Sequence, residues 1–136
     1  MLYPKRTKFR KYFKGRTNAL KTNVGSNFDK GLFGIQACKS GRISYQTIEA
    51  ARRAISRKFR RNGQIWVKIF ADIPVTSKPT EVRMGKGKGN PTGWIARIAE
   101  GQMLFEMDGI TDSMARSAAS LAAQKLNLPT QFRKWS

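Results

Sequence analysis

Residues Arg83-Met84-Gly85-Lys86-Gly87-Lys88-Gly89-Asn90 have the types and spacing that could do chemistry, and that chemistry is anion binding. Three glycines alternate with two lysines, and Arg83 leads in. Glycine accepts backbone conformations that other residues refuse, so it allows close approach to a ligand. Spaced among cations, the glycines would turn peptide N–H groups and ammonium groups toward the same polyanion, for which nucleic acid is the natural partner. A nucleotide site is the rival. A P-loop needs its Gly-Lys pair followed by Ser or Thr, whereas Gly87-Lys88 is followed by Gly89. The dinucleotide fingerprint needs a glycine at position 90, where the chain has Asn90. A run of Gly and Lys can also be no more than a solvated loop, so the rest of the chain has to decide.

Composition favours a polyanion. The chain has 136 residues, with 27 Lys and Arg against 8 Asp and Glu, a formal charge of +19. Self-repulsion at that charge disfavours a compact state unless a counter-charged partner neutralises it. Hydrophobic residues make up 40% of the chain, enough for one domain with a real core. Histidine is absent and Cys38 is the one cysteine. The usual neutral-pH base and most zinc or iron sites are thereby removed, so no catalytic residue, metal or cofactor is expected. A lone cysteine suits a reducing compartment, and Cys38, in an apolar run, reads as a small core residue. No apolar run approaches the ~18 residues of a membrane span. Charge alone leaves three partners open: RNA, DNA or an anionic membrane surface.

The elements that must position the glycine stretch follow in chain order. Residues 1–30 read as a basic arm rather than a transit peptide, because they lack serine enrichment and a clean amphipathic helix. Seven of its nine cations, Lys5, Arg6, Lys8, Arg10, Lys11, Lys14 and Arg16, fall in the first sixteen residues, interleaved with Tyr3, Phe9, Tyr12 and Phe13. Bases and arginine planes stack on such rings, which suits irregular RNA. So many like charges are expected to leave the arm unordered until its partner is present. Residues 31–39 read as a strand, with a turn at Gly41. Ser44 is placed to cap a helix over 45–61. Ile48, Ala51, Ile55 and Phe59 form its buried stripe, while Arg52, Arg53, Arg57, Lys58, Arg60 and Arg61 cover the rest and point to phosphate contact. Glu49 is expected to favour the dipole at the first turn. Residues 64–70 alternate as a strand, with Ile65, Val67 and Ile69 inward. Residues 71–79, with Pro74 and Pro79, read as a linker into the glycine loop. Strands at 93–99 and 102–107 follow, and 64–70 with 93–99 would bracket the loop at 78–92. Thr111 starts a second, alanine-rich helix to about Leu126, and residues 130–136 form an extended tail. Four acids, Glu100, Glu106, Asp108 and Asp112, would mark an edge turned away from the nucleic acid.

Several of these segments together resemble a known family. They are Pro4-Lys-Arg-Thr-Lys-Phe-Arg-Lys, Ile48-Glu-Ala-Ala-Arg-Arg-Ala-Ile, Gly63-Gln-Ile-Trp-Val-Lys-Ile-Phe, Lys78-Pro-Thr-Glu-Val-Arg-Met-Gly-Lys-Gly-Lys-Gly-Asn and Leu104-Phe-Glu-Met-Asp-Gly. In order and over nearly the whole chain, they resemble protein sixteen of the bacterial-type large ribosomal subunit. The resemblance implies an α+β two-layer domain over residues 31–136, a mostly antiparallel sheet with two helices. It implies a structural, non-enzymatic constituent of the large subunit, monomeric there among neighbouring ribosomal proteins. The arm and first helix would contact large-subunit rRNA. The loop from Arg83 to Asn90 would lie near the peptidyl transferase region and support transfer RNA in the aminoacyl site. Asn90-Pro-Thr-Gly-Trp-Ile-Ala-Arg and the Phe-Arg-Lys-Trp-Ser ending look like mitochondrially encoded members, which implies the mitochondrial matrix rather than a bacterial cytoplasm or plastid stroma. A freestanding RNA- or DNA-binding protein, or a nucleotide-dependent enzyme, is the alternative that the residues alone leave.

Overall fold

The computed structural model describes residues 2–17 and 27–135. Of the arm expected over 1–30, residues 1 and 18–26 lie outside the described residues, as does Ser136 of the tail. The chain forms β1 (Phe33–Ala37), β2 (Gly41–Ser44), α1 (Tyr45–Lys58), β3 (Gln64–Val67), β4 (Ile73–Ser77), β5 (Asn90–Ile98), β6 (Met103–Asp108), α2 (Asp112–Ala123) and β7 (Thr130–Lys134). The class is α+β, as expected, with all strand pairs antiparallel. There are two sheets rather than one: β3-β6-β1-β7 and β2-β5-β4. The helices pack on each other; α1 also touches β2, β3 and β5, and α2 touches β1 and β7.

Helix α1 forms where its periodicity places it. Ser44 Oγ accepts the Thr47 N–H at 3.2 Å and caps the first turn. Ile48, Ala51, Ile55 and Phe59 are all at most 1% exposed, so the apolar stripe is the seam of the core. In α2 the inward residues are Ala115, Ala118, Ala119 and Ala122, with Leu126 buried just beyond the helix end. Their small side chains let the two helices approach closely.

Four expectations need correction. Cys38 is exposed, because β1 ends at Ala37 and the chain turns before β2. Gly41 opens a strand instead of making the turn. The supposed linker contains β4, which tolerates Pro74 because it is the edge strand of its sheet, where a missing N–H breaks no ladder bond. Residues 64–70 do not flank the loop: β3 stops at Val67 and belongs to the other sheet. The loop instead joins β4 to β5, paired from Ile73↔Ile95 to Ser77↔Asn90. It therefore spans 78–89, and Asn90 through Thr92 belong to β5.

The acidic edge is also revised. Glu106 is 0% exposed. Its carboxylate accepts the backbone N–H groups of Asp29 (3.1 Å), Lys30 (2.8 Å) and Gly31 (3.1 Å). Lys68 Nζ lies 3.5 Å from it and 2.8 Å from the Asp29 carboxylate. The hydrogen bond to Asp29 is the main reason the Lys68 ammonium titrates above its ordinary value. Gly31 permits this approach, since a Cβ there would stand 2.8 Å from the Met107 carbonyl oxygen. Of the remaining acids, Asp112 is paired with Arg116 at 2.7 Å, and Asp108 accepts the Gly109 N–H at 2.7 Å.

Candidate nucleic-acid interface

Two basic regions stand out, one on α1 and one where the arm meets the glycine loop. On α1, Arg52, Arg53, Arg57, Arg60 and Arg61 line one shallow hollow of about 420 Å³ together with Ser56, while Lys58 is outside it. The helix stops at Lys58, three residues earlier than its charge pattern suggested. Arg60 and Arg61 then take left-handed φ values of 50° and 66°, which swings them back beside Arg57. Such φ is uncommon for residues other than glycine. Glu49 sits in the second turn, so it does not serve the dipole at the first, which carries no acid. It bridges Arg52 at 2.7 Å and Arg53 at 3.0 Å. Arg57, Lys58, Arg60 and Arg61 have no carboxylate partner among the described residues.

These bridges give a pH test. The Glu49 carboxyl is held at about 2 against an ordinary 4.5, first by the Arg52 hydrogen bond and also by Arg53, with burial opposing. A folded-state value below the unfolded one adds stability that is complete above the unfolded value and vanishes as pH falls through the folded one. Urea unfolding of the parent and Glu49→Gln should therefore differ by a constant amount above about pH 5, with the gap closing toward pH 2. A pH-independent gap would mean that the bridges contribute nothing through ionisation.

At the second region the loop is a hairpin tip. Gly85, Lys86 and Gly87 have φ of 96°, 58° and 84°. A Cβ at Gly85 or Gly87 would meet nothing within 4 Å, so these glycines serve conformation rather than space. Lys78 Nζ donates to the Gly85 carbonyl and braces the tip. Arg83, Met84, Lys86 and Lys88 are exposed, Met84 at 99%.

The arm lies against this hairpin. Lys11 Nζ donates to the Lys88 carbonyl at 3.1 Å, and Lys88 Nζ donates to the Tyr12 carbonyl at 2.9 Å. Further along, Arg42 donates to the Lys14 and Gly15 carbonyls, and Arg97 to those of Phe13 and Lys14. Arg42 and Arg97 face each other across β2 and β5. Like charges in that register repel, and the arm's carbonyl dipoles offset the repulsion. The sequence reading missed both arginines. Arg97 carried a signal, a cation inside the apolar run Trp94-Ile95-Ala96-Arg97-Ile98, but β2 was not foreseen and so Arg42 had no partner. Tyr3 is engaged in packing: it stacks on Trp94 at 6.4 Å and meets Tyr45 edge-on at 5.1 Å. Lys5, Arg6, Lys8, Arg10, Lys14 and Arg16 are exposed along the arm. The described residues contain no group of His, Cys, Asp and Glu that could hold a metal. None of their helices is long and apolar enough to cross a membrane.

Residues 4–133 match the family described as Ribosomal protein L16p/L10e. The chain belongs to this family. It is 66% identical over 136 residues, the full length of both chains, to the large ribosomal subunit protein uL16m of Marchantia polymorpha. It is 59% identical to uL16m of Arabidopsis thaliana, with all of this chain and 80% of that one aligned. The large ribosomal subunit protein uL16 of Mesorhizobium japonicum shares 53% identity over 97% of this chain and 96% of its own. Across L16p/L10e the role is structural and not enzymatic. Identity is thus higher to these two plant mitochondrial proteins than to this bacterial one.

Proposed function

We propose that this protein is a structural constituent of the large subunit of the mitochondrial ribosome, where it binds large-subunit rRNA and helps place transfer RNA in the aminoacyl site. The observation that carries the reading is the concentration of cations, far in excess of their carboxylate partners, on two surfaces of a +19 chain that belongs to the L16p/L10e family. Residues 1–30 act as an RNA-binding arm on one α+β domain, 31–136. Lys5, Arg6, Lys8, Arg10, Lys11, Lys14 and Arg16 on the arm, and Arg52, Arg53, Arg57, Lys58, Arg60 and Arg61 on and after α1, contact rRNA phosphates. The tip from Arg83 to Gly89, with Asn90 at its base, reaches toward the peptidyl transferase region and the transfer RNA. Neighbouring large-subunit proteins complete its surroundings. The chemistry belongs to RNA, and the protein supplies charge and position.

Two measurements test this. In a gradient of mitochondrial extract the protein should sediment with the large subunit, and a free pool without ribosomal association would overturn the assignment. Lys86→Ala with Lys88→Ala should lower the slope of log affinity against log salt by about 0.7–0.9 for each phosphate that the variant no longer neutralises. An unchanged slope would remove the loop from the interface.

A further inference from the structure

Three exposed aromatic side chains sit where the arm meets the loop. Phe9 is 67%, Tyr12 53% and Phe13 89% exposed. With Lys11 and Lys88 they line an open, mostly apolar hollow of about 350 Å³. Exposed rings of this size, gathered in one place and rimmed by cations, mark a surface that waits for a partner. We propose that this hollow takes one unpaired RNA nucleobase, stacked against Phe9 and Phe13, with its phosphate on Lys11 and Lys88. The proposal deepens the RNA-binding reading above and rests on it.

Charge selects the class of partner. Lys11 and Lys88 each use one N–H in bracing the arm against the loop, at 3.1 Å and 2.9 Å. An ammonium has three donors, so each retains two for phosphate oxygens. Those same two bonds tie the two sides of the rim together. The Arg97 guanidinium lies 5.7 Å from the Tyr12 ring centre and holds that ring in place. Neither amide nor carboxylate side chains line the hollow, so it lacks the bidentate groups that tell one base edge from another, and the Tyr12 hydroxyl and the lysine ammonium groups are its polar atoms. Binding should follow stacking and charge and tolerate any of the four bases.

The test uses the full-length protein and two short unstructured RNAs of the same length, one with bases and one abasic throughout, titrated by fluorescence anisotropy at a series of matched salt concentrations. The base-bearing RNA should bind about 5- to 150-fold more tightly, the range that one stacked base contributes. Phe9→Leu with Phe13→Leu keeps apolar bulk but removes the ring faces. It should abolish most of that preference and leave the salt slope unchanged. Arg53→Gln with Arg57→Gln should weaken both RNAs alike and keep the preference. Equal affinity of the parent for the two RNAs, or a preference untouched by the leucine pair, would overturn the proposal. Failure to bind either RNA would instead overturn the RNA-binding reading itself, and this one with it.

Discussion

Replacing Glu106 by alanine is expected to lower the unfolding free energy by about 3–5 kcal/mol, the range for breaking a buried ionic site by removing one member. The carboxylate is completely enclosed and accepts three backbone N–H groups, from Asp29, Lys30 and Gly31. Alanine would leave these donors without their acceptor and take from Lys68 one of its two carboxylate neighbours. Each orphaned donor that stays dry costs about 1–3 kcal/mol, although water can reach the Asp29 and Lys30 amides on the exposed side. Glu106→Gln keeps the shape and one carbonyl acceptor, so it should cost distinctly less. Urea titrations give the comparison: the midpoint should fall for both variants, furthest for alanine, with an unchanged denaturant slope. If alanine shifted the midpoint by no more than a surface substitution does, the carboxylate would not hold the entry to β1. The site also matters for the interface, because it fixes the chain where it leaves the arm and starts the sheet.

Nothing local in the sequence announces this role for Glu106. β6 is flanked by β3 and β1, and Met103, Leu104, Phe105, Glu106 and Met107 are all buried. A strand covered on both faces has no alternation from which to read the side an acid faces. The α1 stripe was legible for the opposite reason: one face is wet and one dry, and a period of 3.6 separates Ile48, Ala51, Ile55 and Phe59 from the cations. Strand β4 was hidden by Pro74, a residue that an edge position tolerates and a central one would not. The pairing of β4 with β5, rather than β3 with β5, follows from the two-sheet topology, in which β3 pairs at long range with β6. No spacing within either segment encodes it.

The candidate interface divides the same way. The cations themselves were readable as charge runs, and so was the glycine loop. Their grouping was not. Lys11 and Lys88 are 77 positions apart, and their contact depends on the arm crossing the face of β5 that carries Arg97. That crossing turns two separate basic segments into one surface. It also removes Tyr3 from the set of available rings while leaving Phe9, Tyr12 and Phe13 outward.

The arginine hollow should dominate affinity for large-subunit rRNA. Changing Arg53, Arg57, Arg60 and Arg61 together to glutamine removes four cations and spares Arg52, which is bound to Glu49 at 2.7 Å. If all four touch phosphates, the salt slope falls by about 3, at 0.7–0.9 per phosphate. Between 50 and 200 mM salt, the fall in affinity of the parent should then shrink by about a hundredfold in the variant. Loss of fold is a separate question, and the backbone offers a way to separate the two. Arg60 and Arg61 hold φ of 50° and 66°, a region where a side chain costs about 1 kcal/mol and glycine costs little. Arg60→Gly with Arg61→Gly should therefore leave the urea midpoint unchanged or raised, while the salt slope falls by about 1.4–1.8. Two arginines in left-handed conformations at a helix end are poor choices for stability alone. Their presence where glycine would fit better makes sense if the guanidinium groups, and not the turn, are what the position is for. A glycine pair that bound rRNA as tightly as the parent, with the same salt slope, would leave the strain without a purpose and take these two residues out of the interface.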